Sequence, residues 1–289
     1  MEDNRIVRAF AARRATGGKA LLPFIPAGYP DLDTTAALLE ELACRGVPVC
    51  ELGFPFSDPI ADGPTIQAAF TEALAAGVTT RAIFDMVRRF REQAAGAADV
   101  SPSPNPKSEI RNPKSDLALV AMVTYSIIYR HGPEAFLDSA AEAGFDGLIV
   151  PDLPLEEAAA IEPAAAARGL ANIMLIAPTT PPDRRLEIAR HCRGFIYFVS
   201  VAGITGERDR LPAGTISAVA ELRRHTDTPV CVGFGISNPR TVEEVCRVAD
   251  GAIVGSAIVH RITDNRDKGR QAVVRAIGEF VGELLEPIS

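Results

Sequence analysis

The chain contains no CxxC pair and no HExxH segment, and its five cysteines (Cys44, Cys50, Cys192, Cys231, Cys246) and four histidines (His131, His191, His225, His260) are scattered singly. That scatter excludes the usual zinc motifs, so no metal is expected. An odd number of cysteines in 289 residues argues for reduced thiols and hence for the cytoplasm. Basic residues are fewer than acidic ones, 30 against 37, which leaves a formal charge of −7, and no basic cluster interleaves with aromatics. Nucleic acid is therefore not expected as a partner, and a small ligand is. No apolar run is long enough to span a membrane, so a soluble protein is expected. Residues 1–16 lack a signal-peptide core, being broken by Glu2, Asp3, Arg5, Arg8, Arg13 and Arg14. Their arginines would suit a transit leader, but Ile6, Val7, Ala9 and Phe10 share one helical face and favour a short helix that caps a domain.

What the chain does contain is an alternation of short apolar runs with amphipathic segments, the pattern of βα units around a parallel sheet. Eight runs recur: Ala20 to Ile25, Val47 to Gly53, Leu117 to Val123, Gly147 to Val150, Ala171 to Ile176, Gly194 to Ser200, Pro229 to Gly233 and Gly251 to Val254. They predict an α/β fold, a single (β/α)8 TIM barrel over residues 1–289, with an extra N-terminal helix. After the second run, Pro64 opens a helix with Ile66, Ala69, Phe70, Ala73 and Leu74 at helical spacing, and Gly77 ends it. A second helix carries Ile83, Met86, Val87 and Phe90 on one face, capped by Thr79 or Thr80, so strand 2 is followed by one helix more than the repeat needs. Residues 96–116 are polar and proline-rich and contain Asn-Pro-Lys-Ser twice, which predicts a flexible surface insertion before strand 3, on the stability face of the barrel.

Residues 50–64 hold Glu51, Asp58 and Asp62 where a buried strand passes into a helix, at the functional edge of an α/β fold. Val49, Glu51 and Gly53 share the inward face of the strand. A carboxyl there is either a satisfied structural group or an acid/base with a pKa raised by burial, and the cost of burying it favours the second. Asp62 before Pro64 suits a helix cap and Asp58 before Pro59 an Asx-turn, but their clustering with Glu51 favours chemistry. Glycines recur after the last three strands, in Gly203 to Gly206, Gly233 to Ser237 and Gly255-Ser256. There, backbone amides and a helix start at Ala257 to Val259 suit a phosphate cradle. The charged segment from Gly206 to Pro212 suits a mobile lid, with Thr205 able to reach inward.

The stretch Glu51-Leu-Gly-Phe-Pro-Phe-Ser-Asp-Pro-Ile-Ala-Asp-Gly63 resembles the signature of the tryptophan synthase alpha subunit family. Leu22 to Asp31, Gly203 to Gly206, Gly233 to Ser237 and Gly255 to Val259 are similar to family segments in the same order, over the whole chain except the insertion. The resemblance implies a lyase that cleaves indole-3-glycerol phosphate to indole and glyceraldehyde 3-phosphate by a retro-aldol reaction, with no cofactor in this chain. It implies Glu51 as acid/base and Asp62 as the carboxylate on the indole N–H. Thr205 corresponds to a lid threonine, and Gly206, Gly235, Gly255 and Ser256 to phosphate-binding positions. Phe24, Tyr197 and Phe234 correspond to residues around the indole and the acid/base, and Asp58 to a loop facing the beta subunit. That partner, in an expected α2β2 complex, would carry the pyridoxal phosphate and take the indole on to L-tryptophan. A stand-alone lyase and a non-catalytic barrel that only activates a beta subunit are the alternatives. The chain departs from the family pattern Met-Thr-Tyr-Tyr-Asn-Pro in reading Met122-Val-Thr124-Tyr125-Ser126-Ile127, and in having Pro151 where alanine is common.

Overall fold

The computed structural model describes residues 4–59, 62–96, 116–200, 213–233 and 235–288. In chain order the strands are β1 (Ala20–Pro26), β2 (Val49–Gly53), β3 (Ala118–Met122), β4 (Gly147–Ile149), β5 (Ala171–Ile173), β6 (Leu175–Ile176), β7 (Ile196–Val199), β8 (Val230–Gly233) and β9 (Gly251–Val254). They form one parallel sheet in the order β5-β4-β3-β2-β1-β9-β8-β7-β6. Its two ends, β5 and β6, are separated in sequence only by Met174, so the chain itself closes the barrel. The run read as one strand over Ala171 to Ile176 is therefore two, of which β5 pairs with β4 and β6 with β7. Met174 marks the change of partner, its carbonyl accepting the Tyr197 N–H at 3.1 Å. The other seven expected strands are present, and the barrel keeps its eight staves.

The two-residue period of each strand sorts side chains between two cores. Leu22, Val49, Val120, Ile149, Ile173 and Ile253 fill the barrel interior, whereas Leu21, Cys50, Leu52, Leu119 and Leu148 pack outward against helices. Helix α1 (Arg5–Ala15) adds Ile6 and Phe10 to the interior core, the Phe10 ring lying 5.8 Å from that of Phe195. The predicted apolar face thus plugs the barrel. Asn4 caps α1 by accepting the Ile6 N–H at 2.9 Å, and its amide donates to the carbonyls of Asp146 (2.7 Å) and Gly169 (2.8 Å).

Helix α2 (Leu32–Cys44) follows β1, and both helices expected after β2 are present, α3 (Pro64–Ala75) and α4 (Thr80–Gly96). Gly77 separates them with φ +81°, in the left-handed region where a side chain would be strained. Thr79 is the cap of the second, its hydroxyl accepting the Ala82 N–H at 3.2 Å. The predicted insertion over 96–116 lies almost wholly outside the described residues. Two helices follow β9, Ser256–Asn265 and Arg270–Leu285; the second, not expected from the sequence, packs on α2.

Candidate active site

Glu51 sits mid-way along β2, in register with Phe24 of β1 and Val120 of β3. Its side chain is fully buried, and among the described residues neither carboxyl oxygen has a hydrogen-bond partner. Burial alone pushes its pKa well above the usual carboxylate range, because an ion there would lose its water and find no compensating donor. Burial thus favours the protonated form of the group.

Beyond Gly53 the chain turns over the C-terminal end of the barrel, the Phe54 N–H donating to the Met122 carbonyl at 2.8 Å. Asp58 is exposed and bonds Ser57 Oγ at 2.6 Å. Asp62 is half-buried, and burial pushes its carboxyl up to about 6. The capping role open to Asp62 is not used: Gly63 is the N-cap of α3, Pro64 occupies its first turn, and no side chain caps it. The Asp62 carboxylate is left available to the cleft. Gln67, one turn into α3, donates from Nε2 to the carbonyls of Asp62 (2.8 Å) and Pro59 (3.1 Å) and so holds the loop.

Across the barrel, Tyr197 of β7 is buried, and burial together with the fields of Glu51 and Asp62 raises its phenol pKa. Its ring lies against Gly233 of β8, where a methyl group would come within 2.7 Å of Cε1. Gly235 has φ +81°, and Gly255 precedes the helix Ser256–Asn265 as an N-cap without a side-chain bond. The Ile258 and Val259 N–H groups return to the Gly255 carbonyl, and the first N–H groups of this helix, at Ser256 and Ala257, have no intrahelical acceptor.

Phe24, Asp62, Tyr197, Gly235, Gly255 and Ser256 line one small cavity of about 40 Å³, with Ile66 and Met122 among its other walls. A second, apolar cavity of about 260 Å³ shares Asp62 and Met122 with it and extends to Asp58, Phe70, Thr124 and Pro151. Asp62 therefore stands at the waist of a two-lobed cleft, small and glycine-lined on one side, apolar on the other. Glu51 lines neither lobe. A family model described as tryptophan synthase alpha chain matches residues 10–97 and 105–286. The chain belongs to the tryptophan synthase alpha chain family.

Among relatives carrying that name, the protein of Gloeobacter violaceus is 46% identical, with 97% of this chain and 93% of the relative covered. That of Rhodopirellula baltica is 43% identical over 95% of this chain and 94% of the relative. The tryptophan synthase subunit alpha of Legionella pneumophila superposes with a TM-score of 0.84 at 31% identity, covering 99% of this chain and 98% of that one. A chain of Mycobacterium tuberculosis tryptophan synthase gives a TM-score of 0.83 at 31% identity, with 99% and 98% covered.

Of the residues assigned through resemblance to this tryptophan synthase alpha family, Thr205, Gly206 and Phe234 lie outside the described residues, as does the lid segment 203–212. At the departures from the family pattern, Thr124 is the N-cap of the helix Tyr125–His131 and its hydroxyl lies 3.1 Å from Ser126 Oγ. Asp152 accepts the Tyr125 N–H at 2.8 Å, joining this loop to the one after β4. Thr124 and Pro151 both wall the apolar lobe, so the departures bear on that lobe. Gln67 and Ile66 are the site residues that sequence reasoning missed. Ile66 was legible only as a helix-face position, and nothing local marks Gln67, whose partners are carbonyls of the preceding loop.

Proposed function

We propose that Glu51 and Asp62 divide the cleavage of indole-3-glycerol phosphate to indole and glyceraldehyde 3-phosphate, the carbon–carbon lyase reaction of the family. The phosphate binds at Gly235, Gly255 and Ser256, together with Gly206, where a helix N-terminus and glycine backbones favour an anion. The indole ring extends past Asp62 towards the apolar lobe, with Phe24, Tyr197 and Phe234 around it and Thr205 closing over it. Asp62 as a carboxylate accepts the ring N–H and stabilises the positive charge that develops on the ring.

Glu51 enters the reaction protonated and delivers its proton to ring C3. The resulting carboxylate takes the proton of the neighbouring side-chain hydroxyl. The C–C bond then breaks, its electron pair returns to the ring as indole, the hydroxyl carbon becomes the aldehyde, and Glu51 ends as it began. The buried, unpartnered carboxyl of Glu51 carries this reading, since an isosteric apolar side chain would serve the fold better. Glu51→Gln is expected to lower kcat by roughly 10²- to 10⁴-fold with substrate binding kept. Unchanged indole release in that variant would sink the assignment.

In this reading the chain is a single cytoplasmic domain that hands indole to a beta chain in an α2β2 complex, and the pyridoxal phosphate is held by that partner. Among the described residues, no helix is long and apolar enough to cross a membrane. Asp58, exposed at the rim of the apolar lobe, serves communication with the partner. Asp58→Ala should leave the turnover of the isolated chain unchanged and reduce its stimulation by a beta chain. An isolated chain already at full speed would favour the stand-alone lyase.

A further inference from the structure

We infer that Gly53 is a positioning residue for the acid/base centre: the absence of a side chain there gives the Phe24 ring its seat over the Glu51 carboxyl. Glu51 and Gly53 lie two residues apart on β2 and point to the same face, so the space above Glu51 on the cleft side is the space a side chain at 53 would fill. Phe24 fills it instead. A Cβ placed on Gly53 would lie 2.5 Å from Phe24 Cζ and 2.6 Å from Cε2, with Phe70 Cζ at 3.1 Å. The ring leans across from β1, where Phe24 is the register partner of Glu51, and Phe70 holds it edge-on at a centroid distance of 6.4 Å.

This arrangement explains why Glu51 is sealed although it lies only two residues below the C-terminal end of β2. It has no exposed surface and lines neither lobe of the cleft, while Phe24 walls the first. A methyl group at 53 cannot share the space with the ring and must drive it out of its seat, because packed interiors lack room for both. The titratable groups whose fields are coupled to Glu51 are Tyr197 on β7, Cys231 on β8 and its neighbour Cys50, with Asp62 beyond Tyr197. All are acids. Lifting the ring therefore admits water to the carboxyl without bringing a cation, and the carboxyl becomes easier to ionise.

The catalytic consequence rests on the assignment of Glu51 as acid/base, whereas the seat itself does not, and two readouts separate them. In chain labelled with ¹³C at glutamate carboxyls, with Glu51→Gln identifying the signal, Gly53→Ala is expected to lower the Glu51 titration midpoint by about one pH unit or more. Phe24→Ala, which removes the cover without crowding, should lower it too and keeps the test alive if Gly53→Ala does not fold. The limb of the kcat/KM pH profile that Glu51 governs should move to lower pH in step. A midpoint unchanged in Phe24→Ala overturns the inference, whatever Gly53→Ala does. A midpoint that falls while the rate profile stays in place upholds the seat and removes Glu51 from catalysis.

Discussion

Gln67 holds the backbone of Asp62: one amide group, a turn into the helix that the loop leads to, donates to the Asp62 carbonyl at 2.8 Å and to the Pro59 carbonyl at 3.1 Å. The carboxylate at the waist of the cleft is thus placed by a contact that touches no substrate. Gln67→Ala takes the donor from the part-buried Asp62 carbonyl, at about 1–3 kcal/mol if water does not reach it, while the Pro59 carbonyl keeps the Asp62 N–H at 3.1 Å. The expected outcome is a retained fold, a small fall in Tm and roughly a tenfold loss in kcat/KM carried mostly by KM, measured by indole-3-glycerol phosphate turnover. Gln67→Glu, which keeps the length but loses the donor, should behave like the alanine variant.

Asp62 makes activity and stability respond to pH in opposite directions. Its carboxyl is pushed up from 3.8 to about 6 by burial. Because the folded value is the higher one, its contribution to stability is fully present below the unfolded pKa and is lost as pH rises through about 6. In the proposed mechanism the ionised form accepts the ring N–H, so kcat/KM should fall as pH drops below about 6. Asp62→Asn should remove that fall together with most of the activity. It should also gain about 2 kcal/mol over the wild type at pH 8 that is absent at pH 4, read from urea unfolding at the two pH values.

On the proposed assignment, Glu51 is a stability cost carried for function. Glu51→Met places an apolar side chain of similar length among Val49, Val120 and Phe24 and removes two buried oxygens without partners. It should raise the urea midpoint at pH 7 by an amount equivalent to about 1–3 kcal/mol while abolishing indole release. A variant less stable than wild type would show that the carboxyl is bonded after all.

Asp146 is the opposite case, a buried carboxylate whose partners are all structural. It takes Arg5 at 2.9 Å, Arg91 at 3.0 Å and the Leu119 N–H at 2.8 Å, binding α1 and α4 to the start of β3. Burial pulls the Arg91 guanidinium down to about 10, against the opposing pull of Asp146. Asp146→Ala takes from that buried cation the carboxylate it pairs with at 3.0 Å and should cost about 3–5 kcal/mol in chemical unfolding. The surviving folded fraction at low temperature should keep its kcat, because the network lies at the far end of the barrel from the cleft.

Local pattern was enough for much of this protein. The eight staves, the two helices after β2 and the inward direction of Glu51 follow from periods of 2 and 3.6 residues, which depend only on the chain's own neighbours. The apolar face of Ile6 and Phe10 was visible for the same reason, as was the run of glycines after the last strands. What the chain could not show by itself are contacts between segments far apart in sequence. The split at Met174 arises because one stave must pair with β4 on one side and β7 on the other. The rejection of Asp62 as a cap depends on Gly63 taking that position, and the hold on Asp62 on a side chain from the next helix. The seal over Glu51 required the ring of Phe24 to reach across to a glycine on the neighbouring strand. Alternation could say that Glu51 faces inward; only packing decided that it is fully buried, without a partner among the described residues, because burial belongs to the three-dimensional arrangement and not to any one strand.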